Sequence, residues 1–319
     1  MHYIVLYLFF RKISSSPRAS WKTSSVCYVH CWFDINKFTK QVRQNLMHYI
    51  QTRAIVSTTK NAGITKNLTS IDWAHAVNNK AYLEAALASD VAMLEADIVL
   101  GSLVLSEELM PIMAHPPATT SDLSLAQFLT TIAKHNQHTV SPKGVKLDFK
   151  SIEAFEASQK EISPYSAAEV TFPLWLNADI LPGPVDSTTT PVDALRFLAL
   201  SSGHPRATLS IGWTSKFGDG QYTAAHVDDM LRVLDEAGVK QIVTFPVRAS
   251  LAAHSEKNLL NLLQKTAHLN STLTIWDSTN DAVDVEALRD LILNVGLDRT
   301  YLDVGPQLAA QLHLPGYDE

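Results

Sequence analysis

The sequence predicts an α/β fold consisting of a single (β/α)8 barrel of the TIM type over residues 67–319. Short apolar runs alternate with helix-like stretches from about residue 69 onward, as in repeated βα units. Eight such units can be counted, and they span about 250 residues, the usual size of this barrel. Neither GxGxxG nor GxxxxGK[ST] follows an early strand, which disfavours the alternative, a doubly wound open sheet.

The eight candidate strands are apolar runs that end in turn or polar residues. The second continues through a further apolar run at 111–114, and the fourth, within FPLWLNADILPGP, ends in turn residues after Leu181. In chain order the strands are 69–74, 91–100, 144–149, 173–181, 207–214, 241–247, 272–278 and 300–304.

Helices are predicted between these strands from apolar periodicity and from capping residues. One helix covers 79–87, and the next starts near Ser121 or Asp122. The apolar face of this second helix is formed by Leu123, Leu125, Phe128 and Leu129. Pro191 suits the first turn of the helix after the fourth strand, and Gly238 ends a helix over 222–237. Two further helices are expected over 255–268 and 283–294.

Composition predicts a folded main body preceded by a different kind of segment. A chain of 319 residues with 46% hydrophobic content can bury a large core. Residues 1–66 carry ten Lys or Arg and the single acid Asp34, whereas residues 67–319 carry sixteen basic and thirty-one acidic residues. The predicted boundary therefore lies near residue 66. The basic extension is interpreted as a disordered, targeting or spurious segment, and these alternatives stay open.

The main body is acidic, so nucleic acid is not expected as a partner, because phosphate affinity rests on Lys and Arg. Both cysteines, Cys27 and Cys31, lie in the extension, so residues 67–319 contain no internal disulfide. The first ten residues are too few to cross a bilayer as a helix, and no transmembrane span is predicted. Cytoplasmic and secreted locations both stay open.

Polar residues capable of chemistry fall within or directly after the early strands. In a barrel of this kind, catalytic groups gather at the carboxyl ends of several strands. The coincidence of position is the strongest indication of function available from the residues themselves. These residues are His75, Glu95, Asp97, His115, Asp148 and Lys150.

The carboxylates in this set predict a metal site. Glu95 and Asp97 are two apart in a strand and face the same way, and Asp148 and Lys150 repeat the arrangement on the next strand. Three converging carboxylates repel each other unless a cation joins them, and oxygen ligands favour Mg2+ or another divalent cation. An ExD pair on its own is more often a solvent-facing edge or part of a salt bridge.

The two histidines predict acid–base chemistry at phosphorus. Because the ordinary pKa of histidine lies near neutrality, one ring can attack or activate while the other protonates the leaving oxygen. Lys150 would hold the phosphoryl oxygens during such a displacement. A single histidine at a strand end is more often structural.

Several motifs resemble known families. The run WAHAVN, then LEADIVL, a histidine-containing turn and VKLDFK, looks like the first half of the sphingomyelinase D/phospholipase D-like toxins of the glycerophosphodiester phosphodiesterase superfamily. The chain from about Ser70 to Gly305 is more closely similar to the menorin family. That similarity includes WAHAVNN, EADI, PIMAHPP, KLDFK, WLNADILPGP, LSIGWT and TFPVRA.

The superfamily resemblance implies a role for each residue of the set. His75 and His115 would be the catalytic pair, Lys150 would contact the phosphate, and the metal ligands would be Glu95, Asp97 and Asp148. Asn78 matches the toxin HxxN pattern and would orient His75 or a metal-bound water. The chain departs from the toxins because His115 is followed by Pro-Pro without a cysteine-rich loop, and their Asn-containing C-terminal signature is not found. Substrate recognition is thus left open.

Later strand ends add candidate substrate contacts. Arg248 is a candidate second anion contact, and Trp213 and Trp276 are candidate pocket walls. Asn177 and Asp179 lie in the fourth strand and join this group. The alternative for these residues is packing and hydrogen bonding at the barrel mouth.

The leading hypothesis is a Mg2+-dependent phosphodiesterase with a barrel of the phospholipase-C-like phosphodiesterase type. It would act on a lipid- or glycerol-type phosphodiester, with a small phosphodiester or a lipid head group as partner; hydrolysis and cyclisation both stay open. The alternative is a catalytically inactive extracellular recognition or adhesion module, a role that the menorin resemblance implies. In that case the partner would be a protein.

Overall fold

The computed structural model describes most of the chain beyond residue 66 and two short strands before it. The chain divides into two compact units, Met1–Ala62 and Gly63–Glu319. In the first unit, the strands Ile4–Leu6 and Cys31–Phe33 pair antiparallel. Apart from these two strands, the basic extension predicted over residues 1–66 lies outside the described residues. In the second unit the described ranges are 67–166, 172–185, 188–216, 218–278 and 281–316.

Eight parallel strands form the wall of a barrel in the second unit. Each strand pairs with the next one along the chain, from the first to the eighth. The predicted (β/α)8 fold is therefore confirmed. The strands are β1 Trp73–Ala74, β2 Met93–Leu103, β3 Gly144–Phe149, β4 Leu174–Leu181, β5 Thr208–Trp213, β6 Val243–Arg248, β7 Thr272–Trp276 and β8 Thr300–Asp303.

Among the described residues, no backbone hydrogen-bond ladder joins β1 and β8. Side-chain contacts bridge the gap between these two strands. The Trp73 ring meets the Tyr301 ring edge-on at 6.3 Å, and His75 hydrogen-bonds Asp303. Both rings also contact Trp175 of β4, with centroid distances of 5.4 and 4.8 Å. These three aromatic rings thus fill the interior of the barrel below the carboxyl ends of the strands.

Helices follow the strands and cover the outside of the barrel. Two short helices after β3 had not been predicted. Within the described ranges the helices are Lys80–Ala88, Leu125–Asn136, Ile152–Ala157, Gln159–Ser166, Ala194–Ser201, Ala224–Glu236, Ala249–Ala252, Glu256–Lys265, Val285–Val295 and Pro306–Gln311. In this part of the chain, no helix is both long and apolar enough to cross a bilayer.

Two predicted helix starts were wrong by about three residues. Ser124, rather than Ser121 or Asp122, caps the second helix, and its hydroxyl accepts from the Gln127 N–H. Ser121 lies instead in a short strand that pairs with the end of β2. The helix expected from Pro191 begins at Ala194 because the Asp193 carboxylate caps it.

The chain after β2 folds back on itself instead of extending the strand. The predicted extension at 111–114 is the strand Met110–Met113, which pairs antiparallel with the end of β2. The Ala114 N–H donates to the Asp97 carbonyl at 3.0 Å. This returning strand therefore brings His115 back to the level of Asp97.

Candidate active site

Three carboxylates meet at the mouth of the barrel. In the β2–β3 ladder, Glu95 is paired with Lys146 and Asp97 with Asp148, so alternate residues of both strands face inward. One oxygen from each of Glu95, Asp97 and Asp148 lies within 4.8 Å of the others. The structure thus brings together the three predicted metal ligands.

The loop after β1 holds two of these carboxylates. Asn78 donates from Nδ2 to Asp97 Oδ2 at 2.7 Å, and its side-chain oxygen Oδ1 accepts from the Asp97 N–H at 2.9 Å. The Ala76 N–H donates to Glu95 Oε2 at 2.8 Å, with Ala76 in the left-handed region at φ 57°. These bonds fix the carboxylates and the residues that follow His75.

Asp148 is held from the neighbouring strand and by Lys150. Asn177 Nδ2 donates to Asp148 Oδ1 at 2.7 Å, and Asn177 Oδ1 accepts from the Ser210 hydroxyl at 2.6 Å. Lys150 Nζ contacts Asp148 Oδ2 and lies 2.8 Å from Asp97 Oδ1. Burial opposes ionisation of Asp148, but Lys150 and Lys146 hold its pKa below the ordinary value. Lys150 therefore bridges two of the proposed metal ligands.

Two buried charges at the site were missed by sequence reasoning. Lys146 Nζ lies 3.6 Å from Asp303 Oδ2 and 5.8 Å from the centre of the Trp73 ring. Burial opposes the charge of Lys146, but Asp303 and Glu95 raise its pKa. A signal existed for both residues: Lys146 is two before Asp148 on the same face, and Asp303 is the last residue of β8.

His75 is half exposed and is anchored through one ring nitrogen. Its Nδ1 lies 3.1 Å from Asp303 Oδ2 and 3.5 Å from Glu95 Oε2. Burial lowers the pKa of His75, but the hydrogen bond to Asp303 and the charge of Glu95 outweigh it and raise the pKa to about 9. Because Asp303 holds Nδ1, the other nitrogen is left for the cleft of about 820 Å³ that His75 lines.

His115 lies on a second, smaller cleft at the mouth. It is exposed, and its Nδ1 is 2.7 Å from the Pro116 carbonyl oxygen. This cleft of about 370 Å³ is also lined by Asn78, which binds Asp97. The two predicted catalytic histidines therefore line different clefts. His75 lies beside Glu95 of the acidic cluster, whereas the side chain of His115 bonds the Pro116 carbonyl.

Negative charge exceeds positive charge at the inner mouth. Burial raises the pKa of Glu95 to about 7, reinforced by Asp97, and burial together with Asp148 raises the pKa of Asp179 to about 7. A side chain on Gly212 would meet Asp179 Oδ1 at 3.0 Å, so glycine leaves room for this carboxylate. The mouth thus has five carboxylates but only two lysines and one imidazolium, namely Glu95, Asp97, Asp148, Asp179 and Asp303 against Lys146, Lys150 and His75.

The remaining candidate contacts have other partners. Arg248 Nε lies 2.8 Å from Asp281 Oδ2, and the guanidinium stacks 5.3 Å from the centre of the Trp276 ring. Trp213 is buried against Tyr222, at 5.2 Å, between the strands and the helices. The structure therefore places Trp213 outside the mouth, and the anion-binding group of Arg248 is engaged by a carboxylate.

The Arg248–Asp281 pair gives a stability prediction. Both side chains are almost fully buried, so Asp281→Ala removes a buried carboxylate that neutralises the Arg248 guanidinium and should lower the free energy of unfolding by about 3–5 kcal/mol. Asp229→Ala breaks the exposed pair with Arg232 and should cost less than about 1 kcal/mol. Urea denaturation measures both. Equal, small losses would show that the buried pair is not important for stability.

Together, the fold and the site define a (β/α)8-barrel protein with a candidate metal centre at the carboxyl ends of its strands. Residues 67–309 match the family model of the menorin N-terminal domain. The chain is also 39% identical over 251 residues to human Protein FAM151B, covering 77% of this chain and 83% of that protein. The chain therefore belongs to the menorin family, as predicted.

Among solved structures, the chain is similar to β-methylaspartase from Clostridium tetanomorphum in its Mg complex. The TM-score is 0.42 with 11% sequence identity, over 85% of this chain. The chain spans 63% of that protein's length. A similarity of this size carries no conclusion about activity.

Proposed function

We propose that this protein is a divalent-cation-dependent phosphodiesterase that acts on a lipid- or glycerol-type phosphodiester. The main support for this proposal is the cluster of Glu95, Asp97 and Asp148, in which one oxygen from each side chain lies within 4.8 Å of the others at the barrel mouth. His75 and His115 line clefts at the same mouth. Catalytic groups of barrel enzymes gather at this end of the strands.

The residues present fit a divalent cation, with Mg2+ the expected ion. All three side chains offer oxygen, which is the ligand atom that Mg2+ prefers. With His75 protonated and all five carboxylates ionised, the inner mouth would lack two positive charges, and one divalent ion would supply them. Glu95, Asp97 and Asp148 would hold the ion. Lys150 competes with it for Asp97 and Asp148, because its ammonium contacts both.

The protein's own groups would then bind and protonate the substrate. A bound divalent cation would supply neutralisation of charge on a phosphoryl oxygen. Lys150, when it releases the two aspartates, is available to hold another phosphoryl oxygen. His115, on the exposed turn, would donate a proton to the leaving alcohol.

His75 would take the attacking or activating role, with Asp303 as its positioning residue. Asp303 fixes the ring through Nδ1 and leaves the other nitrogen on the cleft side. The negative charge of Glu95 contributes to holding a proton on this ring. When Glu95 serves as a ligand, that contribution weakens and the ring gives up its proton more readily.

A recognition or adhesion module is the second candidate, and a specific contact favours it. Lys150 already bridges Asp97 and Asp148, so a lysine partly balances the acidic cluster. Arg248 is likewise taken up by Asp281. In this reading the charged groups stabilise the barrel, and binding to another protein occurs elsewhere.

One experiment separates the two candidates. Hydrolysis of glycerophosphocholine, lysophosphatidylcholine and bis(p-nitrophenyl) phosphate is measured with Mg2+ and with EDTA, beside the melting temperature in each condition. The phosphodiesterase proposal expects turnover that requires Mg2+ and is lost in EDTA. Mg2+ stabilisation without hydrolysis of any of the three substrates would favour the module.

A further inference from the structure

Exposed large apolar side chains are concentrated at the mouth of the barrel. In a βα unit the helix starts near the carboxyl end of its strand, so the first turn of each helix lies at the mouth. Three side chains, Val140, Ile242 and Leu293, lie toward the opposite end. The other five exposed ones in the described chain lie at the mouth: Tyr82, Val104, Leu105, Leu109 and Leu195.

Three of these side chains lie on the tip of the hairpin between β2 and the returning strand. Val104, Leu105 and Leu109 are 60%, 103% and 75% exposed. Leu105 adopts φ 69°, a conformation that a leucine rarely takes. The Val104 N–H donates to the Ser121 carbonyl at 2.9 Å, which fixes the base of the tip. The fold thus projects apolar side chains beyond the mouth.

The other two side chains border the clefts of the candidate site. Tyr82, in the first turn of its helix, lines the cleft that contains His75. Leu195, at the second position of its helix, lines a cleft of about 580 Å³ beside Lys150. Apolar side chains therefore occur both on the projecting tip and beside the clefts.

We infer that this apolar rim docks the mouth onto a membrane surface of zwitterionic, choline-headed lipid. This inference rests on the proposed function, since it gives a lipid-type phosphodiester a direct route from the bilayer into the site. The rim side chains are separated by open clefts, an arrangement that suits insertion of single side chains between lipid head groups.

Charge favours this kind of surface over an anionic one. Residues 101–124, which form the hairpin and the following turn, contain Glu107, Glu108 and Asp122 but no Lys or Arg. Binding to anionic lipid depends on clusters of basic residues. The outermost group of a choline head group is a cation, which complements the two glutamates of the tip.

The test is co-sedimentation of the full chain with phosphatidylcholine vesicles. Leu105→Ser combined with Leu109→Ser should weaken binding by about ten-fold or more, because both side chains lose their apolar burial in the membrane. Val140→Ser is the matched control, being 101% exposed at the other end of the barrel, and should bind like the wild type. The wild type, the double variant and the control all retain the apolar first ten residues, so a difference in vesicle binding between them is due to the substituted side chains.

Three results would overturn the inference: no binding of the wild type, equal binding of the double variant, or tighter binding to phosphatidylserine vesicles. The first would point to a protein as the occupant of the rim. Hydrolysis of the water-soluble bis(p-nitrophenyl) phosphate, measured in parallel, should be equal in the double variant and the wild type. Vesicle binding without any hydrolysis would support the docking surface and remove the phosphodiesterase proposal, so the two failures are distinguishable.

Discussion

His75→Ala and His115→Ala are each expected to lower kcat on a phosphodiester substrate by about 10²–10⁴-fold, because each removes a positioned proton-transfer group. The measurement is kcat at saturating substrate and Mg2+. The double variant should be little slower than the worse single variant, since groups that act in one step have strongly non-additive effects.

His138→Ala is the control for the histidine variants. His138 is exposed in the loop before β3, at the opposite end of the barrel from the mouth, and its loss should leave kcat unchanged. Because His75 also bonds Asp303 across the β1–β8 gap, the melting temperature of each variant is compared first. Unchanged turnover in both single variants would remove the acid–base proposal.

Asp148→Asn is expected to abolish the stabilisation that Mg2+ gives to the protein. A ligand at about one hundred times its Kd stabilises the folded state by about 2.7 kcal/mol. For a barrel of this size that corresponds to a rise in melting temperature of about 5–10 °C. Differential scanning calorimetry with Mg2+ and with EDTA measures this rise, which the variant should lack.

Asp303→Asn is the matched control for that experiment. It removes a buried carboxylate from the same mouth but none of the three proposed ligands, so the Mg2+-dependent rise should persist. If both variants lost the Mg2+-dependent rise in melting temperature equally, the stabilisation would depend on the overall negative charge of the mouth and not on the three proposed ligands. A rise retained in Asp148→Asn would contradict the proposed ligand set.

The strands were predictable because parallel strands buried on both sides read as apolar runs. The third strand was predicted over 144–149 and is Gly144–Phe149, whereas the first, predicted over 69–74, pairs only at Trp73–Ala74. An apolar run carries no sign of chain direction, so the returning strand Met110–Met113 was taken as an extension of β2. Ser121 pairs with the end of β2, so it is part of a strand, and Ser124 caps the helix instead.

Local spacing identified the acidic cluster but could not identify partners distant in sequence. Glu95 and Asp97 share a face because they are two apart in a strand, and the structure shows them beside Asp148. Asp303, the partner of His75, is 228 residues away, and no local pattern connects the two. The alternation of side chains along β5 could have corrected the prediction for Trp213. Ser210 faces inward, where it bonds Asn177, and Trp213 is an odd number of residues later, so it faces the helices.

Calorimetric titration of the metal-free protein with Mg2+ tests most directly whether the acidic cluster is a metal centre. The wild type is expected to bind one ion per chain at this site. The variant carrying both Glu95→Gln and Asp148→Asn, which retains Asp97 and the hydrogen bonds from Asn78, is expected to bind none there. Saturable binding of the same stoichiometry and affinity in both proteins, or no binding by the wild type, would contradict the account.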